Sequence, residues 1–389
     1  MTSPRRIAVV TTSRADYGHL RWLLHDLREH PDVDLKIVAF GPHLSPEFGR
    51  TVSEIEHEGF VVDEAIESLV SSDTDAGMAK SLGLATLGLA DPLARMRPDI
   101  LVVTADRYEM LAAAGVALTL RIPIAHIEGG DRSEGAIDDA VRNALTKLSH
   151  LHFTTTDTAR LRVIGMGEES WRVHRVGALS LDHLTHGALP DEGEVLSRIG
   201  VERGQPLFVV ACHPETLEHD SVEWTRALFD ALGRLEGQIV FCFPNADAGS
   251  RSIIARARHF IEKTASARLV LNLPAPEYWA LMGAADLLIG NSSSGVMEAA
   301  SLRKAAINIG SRQDGREHGP NVIDVPADSR TIVAAVDRAR SAPFQQMLRS
   351  VENPYGNGHA SERIVQVLTT TTLGKSLLVK RAVPLGPVE

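Results

Sequence analysis

Short runs of aliphatic and β-branched residues recur along the chain, separated by longer stretches whose apolar positions return every three or four residues. That alternation marks β-α-β units, in which each strand is followed by a helix that packs back onto a parallel sheet. In the first half the runs predict strands over residues 7–12, 35–40, 100–104, 122–127, 151–154 and 173–176. In the second half they predict strands over 207–212, 239–243, 269–271, 287–289, 305–309 and 322–325. Between the two sets, residues 187–204, with Pro190 and several acids, hold a short helix and break the strand pattern. The expected fold class is α/β, with two Rossmann-like doubly wound domains over residues 1–180 and 181–370 facing across a cleft, and a loosely held tail over 371–389. Ligands of such sheets bind beyond the carboxyl ends of the strands, so the chemistry belongs in the loops that follow strands.

Length and composition agree with two domains. At 389 residues the chain exceeds one ordinary hydrophobic core. Acidic residues outnumber basic ones, and a net charge of −10 speaks against a broad face for nucleic acid while allowing a local anion site. The two cysteines, Cys212 and Cys242, have no CxxC spacing and offer neither a disulfide framework nor a metal site, which points to a reducing, cytoplasmic setting. The apolar run after Arg5 and Arg6 is too short for a signal peptide. The run from Leu111 to Leu120 stops at Arg121, short of the roughly 20 residues of a membrane span, so no membrane partner is expected.

The stretch from Ile289 to Ala300 reads as strand, small-residue turn and helix start. Ser292, Ser293, Ser294 and Gly295 would bring backbone N–H groups close to an anion such as a diphosphate, with Glu298 one turn further to accept from ribose hydroxyls. The competing reading is an N-cap and an ordinary amphipathic helix. Arg312, Gln313 and Arg316 in the loop after the next strand either reach the same anion or are solvated surface groups. No GxxxxGK[ST] occurs and no GxGxxG follows the first strand, which disfavours ATP and dinucleotide chemistry.

Three acids follow predicted strands in the first half: Asp106, Glu128 and Asp138. Gathered at one sheet edge, their mutual repulsion and desolvation would separate an acid from a base; singly, each reads as a cap or a surface charge. His213, at a strand end before Pro214, is a further acid/base candidate because imidazole titrates near neutrality. Cys212 beside it reads as core. Arg14, in the first strand-to-helix turn, either meets a phosphate or sugar hydroxyl or pairs with Asp16 or another carboxylate.

Taken together, these motifs resemble the hydrolysing UDP-N-acetylglucosamine 2-epimerases of the sialic-acid and legionaminic-acid type. The likeness runs from Thr12-Ser13-Arg14-Ala15-Asp16-Tyr17, through Leu93 to Ile100, Glu128 to Asp139, Thr146 to His150, Phe243 to Ser250, Asn291 to Gly295 and Gly310 to Glu317, to Asn353-Pro354-Tyr355-Gly356-Asn357-Gly358. It implies a GT-B-like fold, a last helix returning to the first domain, a homo-oligomer (dimer or tetramer), and no metal or redox cofactor. By position it implies that Asp106, Glu128, Asp138 and His213 form the acid/base set. Arg14, Asn245, Asp247, Ser292, Ser293, Ser294, Gly295, Glu298, Arg312, Gln313 and Arg316 would bind the UDP-sugar. The implied reaction eliminates UDP to a 2-acetamidoglucal and hydrates it to N-acetylmannosamine or a 4-acetamido-6-deoxy analogue. The alternatives are a non-hydrolysing epimerase, a GT-B glycosyltransferase and an inactive nucleotide-sugar-binding protein. Two departures stand out: Ala105 where the family usually has glycine, and Asn143 where it often has histidine.

Overall fold

The computed structural model describes residues 3–72, 74–132, 137–213, 223–243, 250–271 and 273–381. It divides into two compact units. The first comprises Met1–Asp131, Asp138–Asp182 and Gly358–Glu389; the second comprises Arg132–Ile137 and His183–Asn357.

The first unit is built on strands β1 (Arg5–Thr11), β2 (Val33–Phe40), β3 (Glu64–Ile66), β4 (Ile100–Thr104), β5 (Ile124–Ile127), β6 (Leu151–Thr154) and β7 (Val173–Arg175). Their order is β3-β2-β1-β4-β5-β6-β7, and each neighbouring pair is parallel. Helices cover both faces, so β4 is buried along its whole length, as its unbroken Ile-Leu-Val-Val-Thr run requires. β3 escapes sequence reading because it is a three-residue edge strand with no continuous apolar run. β5 begins two residues later than predicted, after Pro123, which has no N–H to give a ladder.

The helix Arg14–Glu29 starts at a capping box of Ser13 and Asp16, and Asp16 Oδ2 also accepts from Thr12 N at 3.0 Å and Ser13 N at 3.1 Å. Leu20, Leu23, Leu24 and Leu27 of this helix share a core with Ile364 and Leu368 of the helix Ala360–Thr370, which lies in the same unit. Buried Asp182 fixes that helix by accepting from Ala360 N at 2.9 Å and Ser361 N at 2.6 Å.

The described part of the tail is not loose as predicted. Fully buried Arg172 donates to the carbonyls of Ser376, Leu377 and Val379 at 3.1, 2.8 and 2.9 Å, and Lys380 pairs with Glu168 at 2.7 Å. Burial opposes charge on Glu168, but His152, Lys147 and Lys380 outweigh it and hold the carboxyl at about 2. Composition around Thr369 and Thr372 carries no sign of these long-range partners.

The second unit contains β8 (Leu207–Ala211), β9 (Gln238–Phe243), β10 (Ala267–Leu271), β11 (Leu287–Gly290), β12 (Ala305–Ile309) and β13 (Val322–Val325). The order β10-β9-β8-β11-β12-β13, again all parallel, is the doubly wound order of a Rossmann half-pair. Each sheet therefore has a topological switch point, β1 against β4 in the first and β8 against β11 in the second. At the second, Gly290 has φ +141°, and a Cβ there would overlap the Ala211 carbonyl, so only glycine lets β11 end against β8. Among the described residues no helix is long and apolar enough to cross a membrane.

Candidate functional site

In the first unit the loops leaving β4 and β5 carry the candidate acids. Ala105 has φ +52° and Glu128 φ +63°, so two non-glycine residues hold left-handed backbone at adjacent strand ends. Each such residue costs about 1–2 kcal/mol and persists only where its surroundings impose it, a pattern concentrated at working sites. Here they are imposed by Ala105 N donating to Ile127 O at 2.9 Å and Glu128 N donating to Phe153 O at 2.8 Å. The positive φ gives a physical reason for the glycine that the resemblance expects where Ala105 stands. Behind that turn, burial lowers the His126 imidazole to about 4, and the neutral ring lies 2.9 Å from the Ala105 carbonyl through Nε2.

The carboxylates do not meet one another bare, as the sequence predicts. Arg142, almost wholly buried on the helix Asp138–Leu148, lies among them. Its Nη2 donates to the Asp106 carboxylate, its Nη1 donates to Asp131 O at 2.9 Å, and Asp139 Oδ1 lies 3.5 Å away. Burial opposes the guanidinium charge, yet Asp106, then Asp131, Glu128 and Asp139, raise its pKa overall. Asp138, half-buried in the first turn of that helix, precedes Arg142 by four residues and so shares its face. Glu128 is 7% exposed, with His19 Nδ1 3.4 Å from its Oε1. Arg14 pairs with Glu54 at 3.2 Å; its nearby acid Asp16 is instead occupied as the helix cap.

Arg142, His19 and Asp131 were absent from the sequence candidates. An arginine in an amphipathic helix looks like any surface arginine. The available signal was its spacing of four from Asp138 and three from Asp139.

In the second unit the candidate anion turn lies at the β8/β11 switch point. Ser292 caps the helix Ser293–Met297, and its Oγ accepts from Ser294 Oγ at 3.0 Å. Ser294 Oγ also lies 2.8 Å from the Tyr278 hydroxyl. Ser292, Ser293 and Gly295 are half-buried, and Glu298 is buried just past the helix, its N–H donating to Ser294 O at 3.1 Å. With five residues the helix builds only a small dipole, so local N–H and hydroxyl groups carry any anion binding.

The loop after β12 closes on the same turn: Arg312 Nη1 and Gln313 Nε2 both donate to Asn291 O, at 3.0 and 2.9 Å. Gln313 Oε1 is buried without a hydrogen-bond partner among the described residues. Arg316 Nε donates to Arg132 O at 2.9 Å, within the second unit.

His213 stands at the same switch point, but desolvation and then the charge of Arg312 lower its pKa to about 3. The expectation that it titrates near neutrality is thereby corrected: it is a neutral imidazole at physiological pH. Burial pushes the Cys212 thiol far up, which keeps it an inert core group. Asn245 and Asp247 lie outside the described residues.

The first unit thus carries a carboxylate edge held on a buried arginine, and the second a hydroxyl-rich turn flanked by arginine. The model of the UDP-N-acetylglucosamine 2-epimerase family matches residues 25–369. The chain belongs to that family. It is similar to the hydrolysing UDP-N,N'-diacetylbacillosamine 2-epimerase of Legionella pneumophila, with 35% identity over 377 residues, 97% of this chain and 98% of the relative. It is also similar to the hydrolysing GDP/UDP-N,N'-diacetylbacillosamine 2-epimerase of Campylobacter jejuni, with 34% identity over 347 residues, 88% and 90% of the two chains. Among solved structures, the Neisseria meningitidis UDP-GlcNAc 2-epimerase bound to UDP-GlcNAc superposes with a TM-score of 0.80 at 18% identity, covering 94% of this chain and 100% of that one. The fold is the GT-B-like fold of this epimerase family.

Proposed function

We propose that the protein is a hydrolysing 2-epimerase of a UDP-2-acetamido sugar, and that the sugar is a 4-acetamido-6-deoxy one such as N,N'-diacetylbacillosamine. The names of the two relatives at 35% and 34% identity support that sugar over N-acetylglucosamine. The observation that carries the chemistry is the pair Asp106 and Glu128 at adjacent strand ends, one of them ion-paired to a buried arginine and the other on left-handed backbone.

In this reading the first unit supplies the proton transfers. One carboxylate takes the C2 proton as the C1–O bond to UDP breaks, leaving a C1=C2 double bond. Asp106, held by Arg142, Glu128, beside His19, and Asp138 form the set from which the acceptor comes. Water then adds through oxygen at C1 while a second group protonates the opposite face of C2 and is recharged by the proton that water loses; the proton taken from C2 passes from the first carboxylate to solvent, and the products are the free epimeric sugar and UDP.

The C2 hydrogen is weakly acidic, so the departing diphosphate must be strongly stabilised. That task falls to the second unit, to the turn Ser292 to Gly295 and to Arg312, Gln313 and Arg316, with Glu298 toward the ribose. Arg14 assists as a sugar or phosphate contact. His213, neutral, serves as a hydrogen-bonding group. No metal or redox group is called for by these steps. Two buried cysteines without a disulfide support a cytoplasmic location, and exposed Met78, Leu84 and Leu87 on the helix Asp75–Met96 support a homo-oligomer.

The test is NMR of UDP-N,N'-diacetylbacillosamine and of UDP-N-acetylglucosamine with the protein in D2O. Deuterium at C2 with release of UDP and free epimerised sugar is expected, faster for the first substrate. A UDP-linked epimer without free sugar means the non-hydrolysing reaction. Donor consumption that needs an acceptor and leaves C2 unlabelled means a glycosyltransferase. UDP binding without turnover means a binding protein.

A further inference from the structure

Asn291 is fully buried at the end of β11, one residue beyond the glycine that turns the strand away from β8. Its main chain and side chain point to different partners. The side-chain amide forms a closed pair with the backbone of His213: Oδ1 accepts from His213 N at 2.7 Å, and Nδ2 donates to His213 O at 2.9 Å. The main-chain N–H donates to Ala211 O at 3.2 Å, and the main-chain carbonyl accepts from both Arg312 and Gln313.

β8 ends at Ala211, and Pro214 has no N–H with which to continue the ladder. The planar amide of Asn291, one donor and one acceptor fixed side by side, continues the pairing of the two strands past their ends, onto the backbone of His213.

We infer that Asn291 is a positioning residue of the reaction, its side-chain amide fixing where the His213 imidazole stands while its main-chain carbonyl separately seats Arg312 and Gln313. The inference rests on the proposed reaction and deepens it. Among common side chains only asparagine fits. Aspartate keeps the acceptor but turns a second oxygen toward the His213 carbonyl, and glutamine is a methylene too long for a buried site. Every substitution at 291 keeps the main-chain carbonyl. The side-chain arm can therefore be removed while the arm to Arg312 and Gln313 stays.

The experiment compares N291A and N291D with the wild type, each also in an H213A background. For both variants kcat is expected to fall about 10- to 100-fold, as for a misplaced catalytic group, while the Kd for UDP changes less than about threefold. In the H213A background the same substitutions should lower kcat by less than about threefold, because the residue they act through is gone. N291D, close to isosteric, carries the comparison if N291A does not fold.

Equal losses with and without the His213 side chain overturn the inference. So does an unchanged kcat, and so do losses of kcat and UDP affinity that run in parallel with a falling melting temperature. A second readout does not depend on activity. The His213 imidazole resonance, followed against pH, should titrate well above its wild-type position in N291A, as a ring released from its site; an unchanged titration overturns the inference. If the wild type turns over no UDP-sugar, the proposed reaction fails, and this titration alone decides the role of Asn291.

Discussion

The two units wind their sheets in the same order, the first with one strand more, yet the strand ends at and beside their switch points carry opposite chemistry. In the first, the strand ends present Asp106 and Glu128, counterbalanced by one buried guanidinium, and the backbone is held left-handed at Ala105 and Glu128. In the second, the strand ends present serine hydroxyls, amides and Arg312 around Asn291, the histidine is kept neutral, and the special turn is taken by Gly290. A doubly wound sheet provides a place for ligands at its switch point and leaves the kind of ligand to the loops. Proton transfer needs charged groups whose strain and partners are imposed by the surroundings. Holding a diphosphate needs donors and positive charge on a close-approaching backbone.

The largest expected effect separates these tasks. Glu128→Gln should lower kcat about 10²- to 10⁴-fold and leave the UDP Kd within about threefold. Arg312→Ala should weaken UDP binding about 10- to 100-fold, the worth of a hydrogen bond to a charged group. Steady-state kinetics with calorimetric UDP titration measures both, and a parallel loss of both quantities in each variant would end the division of labour.

Arg142→Met tests the charge balance. It leaves Asp106 without its cation and the Asp131 carbonyl without its donor, and should destabilise the protein by about 3–5 kcal/mol in urea unfolding. A loss below about 1 kcal/mol would place the pair among weak surface bridges.

Acid should act on the first unit before the second. His43, His126 and His150 are held at about 3, 4 and 4 against an ordinary 6.5, in each case chiefly by burial. The unfolded chain then binds these protons first. The stability they contribute is fully present above pH 6.5 and is lost as pH falls from 6.5 toward 4. Glu168, lowered from 4.5 to about 2, keeps its full contribution above pH 4.5 and loses it progressively as pH falls from 4.5 toward 2. Hydrogen exchange at pH 7, 5.5 and 4.5 should show protection falling earlier in the first unit, where burial also lowers His25, His152 and His174, against His213 alone among the described residues of the second. Equal loss in both units contradicts the assignment.

The smallest effect is expected from Ala105→Gly. Relief of left-handed strain, about 1–2 kcal/mol, is partly offset by the entropy of glycine in the unfolded chain, about 0.4–1 kcal/mol, so a net gain near 0.5 kcal/mol should appear as a slightly higher melting temperature. A lower melting temperature would mean that the Ala105 methyl contributes packing worth more than the strain.

Much of this was legible in the sequence, and the part that was not has a physical pattern. Strands buried on both faces announce themselves as unbroken apolar runs, so β4, β8 and β12 were found to within a residue, while β1 starts two residues earlier, at Arg5 and Arg6. The edge strand β3 and the start of β10 at Ala267-Arg268 were missed, because an edge position tolerates polar residues. The serine turn and its flanking arginines were legible as a motif. That His213 is neutral was not, since desolvation and a neighbouring charge appear only when the chain is folded.

By itself, then, the sequence determined the α/β class, the two doubly wound sheets, the family, and which loops carry acids, serines and arginines, because hydrophobic period and local motif are properties of neighbouring residues. Tertiary structure decided which charges meet. It joined Arg142 to Asp106 across 36 positions, Asn291 to His213 across 78, and Arg172 to the C-terminal carbonyls across more than 200. Pairings at such separations leave no periodic trace along the chain, since they are fixed by how strands and helices stack and not by the spacing of the residues they bring together.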